Sequence, residues 1–118
     1  MRKLVTWVDI PAADFERAVD FYSHVLQVEL QIFDCEKEKM ACLPSGEGAI
    51  SWAPGFNPSE NGPIVNFDCE NDLDGAMQRV VAKNGKIVHP KTKIEVEGRG
   101  YFALFMDSEG NRLGLYGN

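Results

Sequence analysis

The chain has 118 residues, 44% of them apolar and 25% charged, with a formal net charge of −6. That length suits one domain or two fused half-domains and buries roughly 65% of the unfolded surface, so a core needs no covalent staples. The acidic balance argues against nucleic acid and anionic membranes as partners, and no apolar run approaches the roughly 20 residues of a membrane span.

The opening residues carry two positive charges, Arg2 and Lys3, and the apolar stretch that follows breaks at Asp9. That is too early for a secretory leader, so the expected location is cytoplasmic. Residues 5–10 alternate, with Thr6, Val8 and Ile10 on one face and Val5, Trp7 and Asp9 on the other. Residues 14–26 then place Phe15, Ala18, Tyr22 and Leu26 at helical spacing behind Asp14, a plausible N-cap. Strand, turn and strand follow in 40–53, around Ser45-Gly46-Glu47-Gly48. The segment 54–62 is rich in turn formers and reads as a linker.

The second half repeats this order. Residues 64–69 alternate, with Val65, Phe67 and Cys69 opposite Ile64, Asn66 and Asp68. Residues 72–84 repeat the helix, with Leu73, Ala76, Val80 and Val81 as the stripe, Asp72 as the matching cap and Asn84-Gly85 as the stop. A strand turns its more apolar face toward the helix that follows it, which matches Val8 with Val65 and Ile10 with Phe67. Residues 102–116 form a second hairpin around Glu109-Gly110, and the polar stretch 92–100 holds the residues by which this half is longer. The expected fold is α+β. Two tandem βαβββ modules, about 1–53 and 63–118, form one domain with a curved mixed sheet, an incomplete barrel with helices on its outer face.

Cys35, Cys42 and Cys69 are widely spaced and form no CxxC, so zinc-knuckle and thioredoxin chemistry are not expected. Cys42 and Cys69 read as small core hydrophobes, and acidic neighbours make Cys35 a poor nucleophile. His24 reads as a solvated helix residue, and His89 as structural or surface. Glu95 and Glu97 read as solvated. No GxSxG, P-loop or GxGxxG signature is present.

Three segments carry a resemblance. They are Val8-Asp9-Ile10-Pro11-Ala12-Ala13-Asp14 with Arg17-Ala18-Val19-Asp20-Phe21-Tyr22, Gly85-Lys86-Ile87-Val88 with Pro90-Lys91-Thr92, and the run from Phe102 to Asn111. In order and spacing they resemble the vicinal oxygen chelate superfamily of glyoxalases, bleomycin-resistance proteins and extradiol dioxygenases. The resemblance implies paired βαβββ modules around a cup, usually in a homodimer. It also implies a divalent metal held by His, Glu or Gln from the first and last strands of the modules. Carried over singly, those positions fall on Trp7, Ile64, Trp52 and Gly114, none of which ligates a cation. No metal and no cofactor are therefore expected.

Two readings of Trp7 and Trp52 stay open. Either they line an aromatic slot for a planar or cationic small molecule, with Tyr101 or Tyr116 nearby, or they fill the vacated cavity as core. Asp9, Asn66 and Arg112 would supply polar contacts. The expected ligand-lining set is thus Trp7, Asp9, Trp52, Ile64, Asn66, Tyr101, Arg112 and Tyr116. The expected function is a small-molecule binding protein of the glyoxalase/bleomycin-resistance type. The alternative is a family enzyme (lyase, isomerase or dioxygenase) using a divalent metal or a metal-free acid/base such as Asp9.

Overall fold

The computed structural model describes Arg2 and residues 4–118. Met1 and Lys3, which belong to the expected first half-module and to the two-charge opening, lie outside the described residues. The first half runs β1 (Val8–Pro11), α1 (Phe15–Leu26), β2 (Gln31–Asp34), β3 (Lys39–Cys42) and β4 (Gly48–Trp52). The second runs β5 (Asn66–Asp68), α2 (Leu73–Ala82), β6 (Lys86–Lys93), β7 (Tyr101–Met106) and β8 (Arg112–Gly117). Both halves are βαβββ and the class is α+β. Strand order is β1-β4-β3-β2 in one sheet and β5-β8-β7-β6 in the other. In each sheet the half's first and last strands pair parallel and the other pairs are antiparallel.

One detail differs from the sequence expectation. Among the described residues no ladder joins β1 to β5, so the molecule has two four-stranded sheets and not one continuous sheet. Pro11, at the end of β1, has no N–H to donate across that seam. Its carbonyl is taken instead by Asn111 Nδ2 at 2.7 Å.

The helices form where the apolar spacing places them. Phe15, Ala18 and Tyr22 of α1 are buried, as are Leu73, Ala76 and Val80 of α2. Asp14 caps α1 by accepting the Arg17 N–H at 3.1 Å, and α1 stops at Gln27 with φ 54°. Asp72 makes no such cap bond. Its Oδ2 accepts instead from Arg79 Nη1 at 3.0 Å. Val81, expected on the buried stripe, is 57% exposed. It stands about 100° round the helix from buried Val80. Asn84, with φ 68°, and the Gly85 N–H bonded to Val80 O at 2.8 Å end α2 as expected.

One apolar core serves both halves. Val8, Ile10, Val65 and Phe67 all pack into it, so the strand faces chosen by alternation are the observed ones. Helix α1 also reaches the second sheet. Phe21 stacks on Phe105 of β7 with ring centroids 6.2 Å apart, and Tyr22 meets Phe67 of β5 at 5.7 Å.

The turn between β7 and β8 locks this arrangement. Buried Asp107 accepts from Tyr22 Oη at 2.6 Å, Glu109 N at 2.8 Å, and both Asn111 N and Nδ2 at 2.9 Å. Burial first, and then the Asp107 charge and hydrogen bond, push the Tyr22 hydroxyl pKa well up. Asn111 Oδ1 accepts the Ser59 N–H of the segment between the halves at 3.1 Å. Glu109 reaches the start of α1. It accepts from the Ala13 and Asp14 N–H groups at 2.9 and 2.6 Å and pairs with Arg17 at 2.7 Å. A carboxylate there satisfies amides that a helix start leaves orphaned and complements its dipole.

Candidate functional site

Both helices lie against one side of the sheets, so the opposite, concave side is where a ligand has room. Register decides which residues face it. In β1 and β4, Ile10 pairs with Ile50 and both are core, which puts Asp9, Ala49, Pro11 and Ser51 on the concave side. Asp9 Oδ1 there accepts the Ser51 hydroxyl and the Trp7 indole N–H, each at 2.9 Å. Trp7 is 41% exposed.

Trp52 is placed differently from the sequence expectation. It alternates with Ser51, packs against the core, and stands beneath Lys39 Nζ at 5.4 Å. The same Lys39 lies over Phe15 of α1 at 6.0 Å. Trp52 is therefore on the helix side, and the two tryptophans do not share a hollow. Tyr101 is likewise on the helix side. It packs against the core under Lys91 at 4.9 Å, and Lys91 pairs with Asp74 of α2 at 3.3 Å.

The second sheet presents the larger concave surface. Leu113, Leu115 and Phe105 face the core, so Arg112, Gly114 and Tyr116 of β8 and Phe102, Leu104 and Met106 of β7 face away from it. Ile64 and Asn66 join them. A basin of about 590 Å³ is lined by Ile64, Asn66, Phe102, Leu104 and Tyr116, with Ile94 and Val96 of the β6–β7 loop at its border. A neighbouring cavity of about 620 Å³ shares Leu104 and continues past His89 and Met106 to Arg112. His89 stacks on Phe102 at 5.1 Å with 9° between the rings. A smaller cavity of about 130 Å³ at the seam between the halves is lined by Asp9, Asn57, Asn111 and Arg112 among others.

Of the expected ligand-lining set, Ile64, Asn66 and Tyr116 are thus brought together in the basin, Arg112 lines the neighbouring cavity and shares the seam cavity with Asp9, Trp7 lies beside Asp9, and Trp52 and Tyr101 are elsewhere. The sequence reading missed Phe102, Leu104, His89 and the apolar side of the 94–100 loop. Ile94 and Val96, alternating with Glu95 and Glu97, were the signal. His24 is exposed on α1, as are Glu95 and Glu97 in their loop. Cys35 is exposed. Cys69 packs against the core, and burial first of all pushes its thiol pKa up.

The donors on the concave side do not fit the metal that the resemblance implies. At the end of the first half the concave residue is Ser51, and not Trp52. One carboxylate, Asp9, with a hydroxyl and an amide nearby is not a transition-metal ligand set. Among the described residues no three His, Cys, Asp or Glu side chains come together.

Comparison with known proteins agrees with this architecture. A family profile described as Glyoxalase/Bleomycin resistance protein/Dioxygenase superfamily matches residues 4–115. No curated protein matches the chain. Among solved structures, a glyoxalase/bleomycin resistance protein from Albidiferax ferrireducens T118 is 17% identical, with a TM-score of 0.73 over 98% of this chain and 99% of that one. The fosfomycin resistance protein FosX from Listeria monocytogenes is also 17% identical, with a TM-score of 0.72 over 100% and 95% of the two chains. A glyoxalase I variant from Zea mays is 18% identical, with a TM-score of 0.68, and 43% of its length is covered by 95% of this chain. At these identities the structural likeness speaks for the fold. The profile spans nearly the whole sequence, and the chain belongs to the glyoxalase/bleomycin resistance protein/dioxygenase superfamily.

Proposed function

We propose that the protein binds a small organic molecule on the concave side of its second sheet, without the family metal. The observation that supports this is the basin under the 94–100 loop. At about 590 Å³ it has the size of a ligand site, with an apolar floor and a few polar groups. The protein then acts in the cytoplasm, with neither nucleic acid nor membrane as partner. No helix among the described residues is long and apolar enough to cross a membrane. The same reading includes a homodimer, because among the described residues β2 pairs with β3 alone, and it carries Ile32 and Phe33 at 47% and 45% exposure. An uncovered apolar edge invites a second chain, and sedimentation showing only a 13.2 kDa species would refute it.

The test is a thermal-shift screen of small metabolites on the wild type and on Leu104→Trp, which fills the floor common to both large cavities. Bound ligand at about 100 times its Kd adds about 2.7 kcal/mol to stability. Hits should stabilise the wild type and lose their effect in the folded variant. A screen without hits, or hits indifferent to Leu104→Trp, overturns the reading. One observation favours the enzyme alternative: Trp7 and Ser51 hold Asp9 in a fixed position as a metal-free acid/base would need. Stoichiometric metal surviving dialysis, or turnover abolished by Asp9→Asn, would establish that alternative instead.

A further inference from the structure

The polar groups of the basin and of the cavity beside it select the chemistry of the ligand. Gly114 lies between Arg112 and Tyr116 on the concave side of β8, next to Asn66 of β5. A Cβ on Gly114 would stand 1.9 Å from Asn66 Oδ1. The absent side chain therefore lets the Asn66 carboxamide lie across β8, in line with the other two. Tyr116 Oη accepts the Gly100 N–H at 3.4 Å, which leaves its own proton to donate. Arg112 is half-buried. Its Nε is buried without a hydrogen-bond partner, and it makes no ion pair among the described residues. Arg112 also lines the neighbouring cavity that shares Leu104 with the basin, and a ligand acceptor placed there would meet a guanidinium with no ion-pair partner among the described residues.

Nearby carboxylates are spoken for or peripheral. Asp107 is saturated by its own turn and Tyr22. Asp9, which shares the seam cavity with Arg112, is bonded by Trp7 and Ser51 through Oδ1 and makes no ion pair with Arg112. Asp68 is exposed and accepts the Glu70 N–H. Glu60, at the rim of the Arg112 cavity, is exposed. Arg99 is the sole charged residue lining the basin itself, although the chain as a whole carries a net charge of −6.

We propose that the ligand is an amphiphilic organic acid, its apolar body lying over Leu104 and Phe102 and its oxyanion received by Arg112 in the neighbouring cavity that shares Leu104. This rests on the concave-side binding reading above. It replaces the planar or cationic ligand that a tryptophan slot would have favoured, because the two tryptophans are apart and Arg99 and Arg112 line the two adjoining cavities. Charge-assisted hydrogen bonds from a guanidinium are about twice as strong as neutral ones and discriminate by head group.

The experiment is calorimetric titration of the full chain with octanoate, octanol and octylamine, which share a body and differ in the head. Octanoate should bind roughly tenfold or more tightly than the other two, since one charge-assisted bond is worth about that factor. Arg112→Gln, shown folded by its melting curve, should bring octanoate down to the octanol level, and Arg99→Gln should keep most of the preference. Octanol or octylamine binding as well as octanoate overturns the acid assignment and leaves concave-side binding intact. Loss of the preference in Arg99→Gln, with Arg112→Gln unaffected, overturns the placement of the head. Binding of none of the three overturns both readings. The wild-type ratios stand even if a variant fails to fold.

Discussion

Two hairpin turns occupy the same place in the two halves and do different work. In the β3–β4 turn, the Glu47 carboxylate meets the Ser45 hydroxyl of its own turn, and outside the turn Glu47 offers just its backbone carbonyl, to the Val8 N–H, among the described residues. In the β7–β8 turn, Glu109 holds the start of α1, Asp107 holds Tyr22, and Asn111 holds both Pro11 and the segment between the halves. The concave sides differ likewise. The first half ties Asp9, Trp7 and Ser51 to one another, whereas the second leaves Arg112 unpaired above an apolar floor. One topology used twice thus puts both the clasp between the halves and the open basin on the second copy. A shared fold fixes where such residues stand and leaves their roles to the side chains.

The sharpest way to break this comparison is to truncate the equivalent turn residues. Asp107→Ala should cost about 3–5 kcal/mol, because it strands the Tyr22 hydroxyl and several turn donors in a buried site. Ser45→Ala, at the matching place in the first turn, should stay within about 0.5 kcal/mol. Denaturant unfolding of both variants decides, and equal losses would mean that the second turn is no clasp.

Glu109→Gln should have a smaller effect, about 1–2 kcal/mol near neutral pH, since Arg17 remains solvated and the amides keep an acceptor. Its pH dependence is more specific. Burial by itself would raise the Glu109 pKa, but Arg17, the Asp14 N–H and Ser108 outweigh it and hold the carboxyl below its usual value. A pKa lower in the folded than in the unfolded state contributes stability that is full above the unfolded value, about 4.3. That contribution is lost as pH falls through the folded value. The gap between wild type and Glu109→Gln should therefore be widest near neutrality and close in acid. A wild-type advantage over Glu109→Gln that persists unchanged into acid would contradict the clasp.

The sequence made the fold legible wherever the signal was local. Phe15, Ala18 and Tyr22, and then Leu73, Ala76 and Val80, carry the helical period within single segments. The alternation of Val8 with Ile10 and of Val65 with Phe67 shows which strand face meets the core. Trp52 was misplaced because β4 is nearly apolar throughout, so period two carries almost no information about its faces. The one polar residue, Ser51, marks the side away from the core and leaves Trp52 on the other. The clasp was invisible for another reason. Glu109 and Asp107 act on partners in the first half, far away in sequence, and a turn rich in Asp, Glu, Gly and Asn looks the same whether its side chains face water or a helix start. The 94–100 loop reads as charged from Glu95 and Glu97, although Ile94 and Val96 supply the apolar side over the basin.

The most direct test of the account is an amide-resolved NMR titration of the wild-type protein with octanoate. The account expects the largest shifts at Asn66, Phe102, Leu104, Arg112 and Tyr116, with Trp7, Ser51 and the β3–β4 turn left nearly still. Shifts centred on Trp7 and Ser51, or spread without focus over the helix side around Trp52 and Tyr101, would contradict it.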